Sequence, residues 1–186
     1  MSDGTTVKIL GIAGSLRRGS FNASALRAAK ELAPAGMTID IFDIAAIPLY
    51  NEDVKVQGFP PVVADLRARI KAADGLLLAT PEYNYSTSGV LKNAIDWASR
   101  PPEQPFDGKP IALMGASGGA LGTARAQYHL RQMFIFLNAH MLNRPEVMIG
   151  GAPSKFDAEG KLTDQPTRDF LVTMLTAFKA WIEKLR

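Results

Sequence analysis

A chain of 186 residues in which 47% are hydrophobic and 21% are charged has the size and composition of one soluble globular domain, so we assign residues 1–186 to a single domain. The absence of cysteine excludes disulfides, iron–sulfur clusters and thiol catalysis, and the two histidines, His129 and His140, lack the spacing of a metal site. The formal net charge of +3 comes from basic residues spread along the chain without an aromatic-rich ribbon, which argues against a nucleic-acid partner.

The N-terminal segment and the apolar runs argue against export and membrane insertion. Residues 1–6 are polar and lack the basic flank and apolar stretch of a signal peptide. No apolar run approaches the length of about 20 residues that a membrane-spanning helix needs. We therefore expect a cytoplasmic protein with no membrane partner.

Five apolar segments alternate along the chain with five segments of helical periodicity. The predicted strands are 7–13, 37–43, 74–80, 110–117 and 142–149, and the predicted helices are 22–33, 61–73, 88–99, 122–137 and 165–185. The first, third and fourth strands are almost continuously hydrophobic, as in parallel strands that are covered on both faces, whereas the second alternates and favours a place nearer the edge. The pattern predicts an α/β fold, a flavodoxin-like doubly wound five-stranded parallel sheet in the order 2-1-3-4-5 with helices on both faces. The polar segment 150–164 is predicted to cross the surface.

The run that follows the first predicted strand has the composition of an anion-binding turn. It reads Gly14-Ser15-Leu16-Arg17-Arg18-Gly19-Ser20-Phe21-Asn22 and leads directly into a predicted helix. N–H groups at a helix start and the helix dipole favour an anion, and hydroxyl, amide and guanidinium groups add donors. The run lacks the Gly-x-x-x-x-Gly-Lys-Ser/Thr and Gly-x-Gly-x-x-Gly patterns, which leaves one terminal monophosphate as the better fit. A turn in which Ser20 or Asn22 is an ordinary N-cap is the alternative.

The loops after the third and fourth predicted strands should meet this turn, because the carboxyl ends of parallel strands share one edge of the sheet. The first of these loops, Thr80–Gly89, carries two tyrosines, Tyr83 and Tyr85, and can read the edge and shield the face of a planar heterocycle. The second, Gly115–Gly122, is rich in glycine and allows close backbone approach. Taken singly, the tyrosines are equally compatible with packing under the loop, and the glycines with an ordinary turn after a strand. Together the three loops indicate a mononucleotide with a flat head group.

The chain resembles the NAD(P)H-dependent FMN reductase family, in particular its chromate reductase and quinone reductase branch. Three stretches carry the resemblance, which runs from about Val7 to Glu146: Gly14–Asn22, Thr80–Ser86 and Gly89–Trp97. One departure is Ser88, which stands where family members often carry proline and which can instead cap the following helix.

The resemblance implies a bound FMN and a set of residues around it. Its phosphate would be held by Ser15, Arg17, Ser20 and Asn22, with Leu16 and Phe21 in the same loop. The isoalloxazine would be lined by Glu82, Tyr83, Asn84 and Tyr85, which follow Pro81, and closed off by Ser117 and Gly118. The expected chemistry is ping-pong transfer of electrons from NADH or NADPH to quinones, chromate or similar acceptors. The flavin carries this chemistry, so no catalytic side chain and no metal ligand are predicted.

A polar face on the fourth predicted helix is the remaining candidate site. Arg125 and Tyr128 lie one turn apart, which is most simply a solvated face. The resemblance implies instead an oligomer contact, in which these two residues reach Glu146 and Tyr85 of a neighbouring subunit in a homodimer or homotetramer. Neither histidine is given a catalytic role.

Two other classes of function compete with a reductase. A flavodoxin-type electron carrier would bind FMN without nicotinamide-dependent turnover, but such carriers are usually strongly acidic, whereas this chain is slightly basic. A phosphate-binding regulatory module would need no tyrosine pair beside Glu82 and Asn84.

Overall fold

Six short strands form one parallel sheet at the centre of the computed structural model, which describes residues 6–186. The strands are β1 (Val7–Ala13), β2 (Met37–Phe42), β3 (Gly75–Ala79), β4 (Pro110–Ala116), β5 (His140–Met141) and β6 (Val147–Ile149). Their order is β2-β1-β3-β4-β5, and β6 also pairs with β4. The predicted order 2-1-3-4-5 is confirmed, as is the place of the alternating second strand at an edge. Residues 1–5, on which the argument about export partly rests, lie outside the described residues.

Helices cover both faces of the sheet. They are α1 (Phe21–Glu31), α2 (Glu52–Lys55), α3 (Pro61–Ala72), α4 (Gly89–Ala98), α5 (Ala124–Phe136) and α6 (Gln165–Leu185). One core lies between the sheet and α1 and α6, and a second lies between the sheet and α3, α4 and α5. In β3, Leu77 enters the first core, while Leu76 and Leu78 enter the second. This two-sided burial explains why β3 and β4 have no polar positions.

The fifth predicted strand, 142–149, is wrong as a continuous element. β5 pairs with the start of β4 and β6 with its end, and the chain between them leaves the sheet. Pro145 has no N–H to donate to a ladder. Arg131 of α5 also holds the intervening segment by donating to the carbonyl of Leu142 at 3.1 Å and to Oδ1 of Asn143 at 3.3 Å.

The segment 150–164 contributes to the core, which corrects its assignment as a loop that only crosses the surface. It contains a short 3₁₀ helix, Ala152–Ser154, and an antiparallel bridge between Phe156 and Leu162. Ala152, Phe156 and Leu162 are all buried in the core beneath α1 and α6. The short helix α2, capped by Asn51, was not predicted because four residues carry no readable periodicity.

Gly115 allows three elements to converge at the carboxyl edge of the sheet. A Cβ atom at this position would overlap Oγ1 of Thr123 and would lie 2.5 Å from the carbonyl oxygen of Thr80. The residue after β3 and the residue before α5 therefore both press on the backbone of β4. Only glycine permits this approach, and the approach brings the loops after β3 and β4 together.

We expect Gly115→Ala to destabilise the apoprotein by about 3 kcal/mol, because the overlapping atoms include a backbone carbonyl that cannot rotate away. The measurement is urea unfolding followed by circular dichroism at 222 nm. Gly89→Ala is the matched control, since a Cβ at the start of α4 meets nothing within 4 Å. The control should unfold at or slightly above the wild-type midpoint. Equal midpoints for the two variants would show that the edge of the sheet relaxes around the added methyl group.

Candidate functional site

The loops after β1, β3 and β4 surround a cavity of about 230 Å³ at the carboxyl edge of the sheet. Its lining residues are Ser15, Arg17, Ser20, Phe21, Asn22, Pro81, Glu82, Tyr83, Ala116, Ser117 and Gly118. All of these residues except Ala116 were predicted from the sequence. Ala116 is an apolar residue, and only its position at the end of β4 indicates that it could line a site. Three predicted residues, Leu16, Asn84 and Tyr85, are exposed and do not line the cavity.

The start of α1 forms an electropositive end of the cavity. Ser20 is the N-cap of the helix, and its hydroxyl accepts the N–H of Ala23 at 3.2 Å. The N–H groups of Phe21 and Asn22 find no acceptor within residues 6–186. Arg17 is exposed beside them, with its guanidinium carbon 5.6 Å from the centre of the Phe21 ring. Unpaired first-turn N–H groups, the helix dipole and a guanidinium together favour an anion.

The side chain of Asn22 joins two elements of the fold. Its Nδ2 donates to the carbonyl of Ala116 at 2.9 Å, and its Oδ1 accepts the N–H of Ala116 at 2.9 Å. Both ends of the amide are therefore used to join α1 to the end of β4. Asn22 also presents its backbone N–H to the cavity, and Nδ2 keeps a second N–H, so the side-chain bond to a phosphate stays a prediction.

The loop after β3 contains a tight hairpin at residues 83–86. Tyr83 and Ser86 exchange two backbone hydrogen bonds of 2.9 Å, and the central residues have φ of 49° at Asn84 and 66° at Tyr85. Positive φ at both central positions is the geometry of a type I′ turn, for which Asn-Gly is the preferred sequence. Asn84 suits its place, but a bulky residue in the left-handed region costs about 1–3 kcal/mol. Tyr85 is thus held in a strained conformation.

Glu82 uses its carboxylate to cap α5. The side chain is 6% exposed, and Oε2 accepts the N–H groups of Arg125 at 3.1 Å and Ala126 at 3.3 Å. Oε1 pairs with the Arg125 guanidinium. Thr123, the N-cap residue of α5, makes no side-chain cap of its own, so Glu82 supplies it from another loop. Glu82 lines the cavity as predicted, but its charge is committed to α5.

Ser88 ties the loop after β3 to the loop after β1. Its hydroxyl donates to the carbonyl of Gly14 at 2.6 Å and accepts the N–H of Leu91 at 3.3 Å. The prediction that Ser88 caps the helix that became α4 is confirmed. A proline at this position would lack the hydroxyl that makes both bonds.

The glycine-rich loop presents mainly backbone to the cavity. The Ser117 hydroxyl donates to the carbonyl of Gly122 at 2.5 Å and so closes its own loop. The neighbouring Gly118 is exposed, and the nearest atoms to a Cβ placed there belong to Pro153 at 3.9 Å. A flat group can therefore approach the peptide of Gly118 without meeting a side chain.

The four residues predicted to form an oligomer contact make two separate pairs within one chain. The Arg125 guanidinium lies 3.7 Å from the centre of the Tyr85 ring, and the Tyr128 hydroxyl is 3.2 Å from Oε2 of Glu146. A contact between subunits remains a prediction. His129, one turn after Arg125, lies with Nδ1 3.0 Å from the Ser86 hydroxyl, so it belongs to the rim of the hairpin. Its spacing from Arg125 was the signal that sequence reasoning did not use.

In residues 6–186 there is no group of three or more His, Asp or Glu side chains that could hold a metal ion. Within the same residues, none of the helices combines the length and the apolar character needed to span a membrane.

Comparison with known proteins agrees with this geometry. The sequence model of the family described as NADPH-dependent FMN reductase matches residues 7–154. A Pseudomonas aeruginosa protein named NAD(P)H-dependent FMN reductase is 60% identical over 186 residues, 100% of both chains. A quinone reductase of Escherichia coli is 46% identical over 183 residues and 97% of each chain. The solved structure of FerB, a flavoenzyme NAD(P)H:(acceptor) oxidoreductase from Paracoccus denitrificans, has a TM-score of 0.87 and 37% identity, and the match covers 96% of this chain and 98% of that one.

These matches support a reductase and give no support to the alternative of a flavodoxin-type carrier. The family model covers the three loops of the cavity, and the relatives match over nearly their whole length. The chain belongs to the NADPH-dependent FMN reductase family, as an oxidoreductase with FMN as its cofactor and NAD(P)H as its co-substrate.

Proposed function

We propose that the cavity at the carboxyl edge of the sheet binds FMN and that the protein uses NADH or NADPH to reduce quinones. The observation that carries the proposal is the meeting of an electropositive helix start and an aromatic loop on one cavity. The quinone reductase of Escherichia coli, at 46% identity over 97% of each chain, supports quinones as the acceptors. Chromate is proposed as a second acceptor from the resemblance in sequence.

The residues of the cavity fit the parts of FMN. A phosphate dianion suits the unpaired N–H groups of Phe21 and Asn22, the Arg17 guanidinium and the hydroxyl of Ser15. A flat ring system suits the exposed backbone at Gly118 and the ring of Tyr83. Each part of the cavity is thus chemically matched to one end of the mononucleotide.

The chain's own residues bind and orient in this mechanism. When bound, FMN supplies the chemistry of accepting a hydride from a nicotinamide and passing electrons to an acceptor. The N–H groups at the α1 start and Arg17 anchor the phosphate and balance its charge. Tyr83 is 53% exposed and Tyr85 69% exposed, so the aromatic side of the cavity is open to solvent. We propose that nicotinamide and acceptor use this open side in turn, which makes the kinetics ping-pong.

The proposal also covers the oligomeric state and the cellular location of the protein. We propose a cytoplasmic homodimer or homotetramer. Support for association comes from α5, where Ile135 is 75% exposed and Phe136 is 86% exposed on the face that also carries Tyr128.

The reductase proposal predicts rapid reduction of bound flavin. The protein is loaded with FMN and mixed anaerobically with NADH or NADPH in a stopped-flow instrument, and absorbance is followed near 450 nm. Rapid bleaching, followed by recovery when a benzoquinone is added, is expected, with parallel double-reciprocal plots in the steady state. Slow bleaching would indicate a carrier, and failure to take up FMN would refute both flavin functions.

Arg17→Ala should weaken FMN binding by about 10- to 100-fold, since a charge-assisted hydrogen bond contributes about 1.5–3 kcal/mol. The measurement is quenching of FMN fluorescence on titration with apoprotein. At saturating FMN the variant should keep the wild-type rate of bleaching by NADH, because the guanidinium acts on the phosphate.

Arg18→Ala is the matched control for this variant. Arg18 has the same charge and is exposed, but it does not line the cavity. Its FMN dissociation constant should stay within about twofold of wild type, because an exposed side chain outside the cavity lining makes no direct hydrogen bond to the phosphate and its charge is screened by salt. Wild-type affinity in Arg17→Ala would remove Arg17 from the phosphate site.

Association through α5 predicts that Phe136→Asp lowers the molar mass measured by light scattering on a sizing column, because a buried unpaired carboxylate opposes association. Val56→Asp is the control, since Val56 is also well exposed but lies after α2, away from α5. A wild-type protein that elutes as a monomer at micromolar concentration would contradict the proposed assembly.

A further inference from the structure

The hairpin at residues 83–86 needs support from outside itself. Its two backbone hydrogen bonds join Tyr83 and Ser86 and do not involve the side chains of the two central residues. That position has φ of 66° and is occupied by Tyr85, where glycine carries no steric penalty. A conformation of this kind persists only when the surrounding structure favours it over the relaxed alternatives.

Arg125 supplies that support through the Tyr85 ring. The guanidinium carbon lies 3.7 Å from the ring centre, which is close for a cation over an aromatic face. Arg125 is itself fixed, because the buried carboxylate of Glu82 pairs with its guanidinium and accepts its backbone N–H. Glu82, which directly precedes the hairpin, therefore fixes the position from which the Arg125 guanidinium contacts the Tyr85 ring.

A second contact joins the hairpin to the same helix. Ser86, at the end of the hairpin, lies with its hydroxyl 3.0 Å from Nδ1 of His129. Arg125 and His129 are one turn apart on α5 and hold the two sides of the turn. The first two turns of α5 thus provide a rigid support for the hairpin.

We propose that Arg125 is a positioning residue, which holds Tyr85 in its strained conformation and thereby fixes the Tyr83 wall of the cavity. Arg125 does not line the cavity, so it acts on a bound ligand through its neighbours, the hairpin and Glu82. Tyr83, the first residue of the hairpin, does line the cavity. The consequence for flavin binding rests on the proposed function. The contact by which Arg125 holds Tyr85 in place is called the Arg125–Tyr85 lock below. This lock does not rest on the proposed function, because it is a property of the apoprotein.

The test is a double-mutant cycle that combines Arg125→Ala with Tyr85→Gly. Tyr85→Gly removes the ring and relieves the strain, because glycine suits the second position of a type I′ turn. In the wild-type background, Arg125→Ala should raise the FMN dissociation constant about tenfold, in line with the strength of a cation–π contact. In the Tyr85→Gly background the same change should have an effect of less than about threefold.

Two further variants make the cycle specific. Arg125→Lys keeps a cation that can reach Glu82 and Tyr85, so it should restore the FMN dissociation constant and the visible circular dichroism of the bound flavin toward wild type. If Arg125→Ala does not fold, Arg125→Lys takes its place in the cycle with a smaller expected change of the same sign. Arg131→Ala removes the same charge from α5 at a site that holds residues 142–143, and it should leave FMN affinity unchanged.

The outcomes separate the lock from the proposed function. Equal effects of Arg125→Ala on the FMN dissociation constant in both backgrounds would overturn the lock. A loss of FMN affinity that appears only together with a drop in molar mass would also overturn it, since Arg125 would then act across subunits. If the wild-type protein binds no FMN, the proposed function fails. In that case the same cycle is read from urea midpoints of the apoprotein, where a non-additive shift supports the lock and an additive one refutes it.

Discussion

The backbone of Ala116 is the point on which the arrangement of the site depends. Ala116 lies beyond the last pair between β3 and β4, Ala79 with Met114, so no residue of β3 faces it. It is nevertheless buried, and an unpaired buried N–H or carbonyl costs about 1–3 kcal/mol. The Asn22 amide bonds both the N–H and the carbonyl of Ala116. It thereby takes the place of a β3 residue beyond the end of that strand. Because Asn22 is in the first turn of α1, this repair also fixes the helix start against the end of β4.

Two other contacts then join the remaining loop to this frame. The Ser88 hydroxyl binds the carbonyl of Gly14, and the Glu82 carboxylate binds the first turn of α5. The loop after β3 is thereby tied to the loop on each side of it. A site whose walls are held together in this way loses little conformational entropy when a rigid planar ligand enters, which favours binding by preorganisation.

Much of this could be predicted from the sequence, because the relevant signals are local. Continuous hydrophobicity identified the buried strands, and the order of the sheet placed the three loops on one edge. The cap at Ser88 was predicted from its place before a helix. Such signals depend on a residue and its near neighbours in the chain.

What could not be predicted depends on which distant group a polar side chain meets. Asn22 and Glu82 were assigned to the ligand, yet their partners are Ala116 and the start of α5, 94 and 43 residues away in the chain. In the sequence, an amide or carboxylate in a loop looks the same whether it binds a ligand or bonds to a distant part of the chain. The apolar residues of segment 150–164 were similarly hidden, because Phe156 and Leu162 are separated by polar residues and pair only once the loop has folded.

These assignments change how the site should be understood. Four polar side chains of the three loops, those of Asn22, Glu82, Ser88 and Ser117, bind the protein itself. What they leave for a ligand is backbone N–H, exposed glycine and a few side chains on the rim. Apart from Arg17, recognition through the backbone depends less on the lining side chains than on the contacts that hold each loop in place. The chemistry carried by a cofactor permits this division, since the protein has to hold a ring and a phosphate in place and does not have to supply a nucleophile.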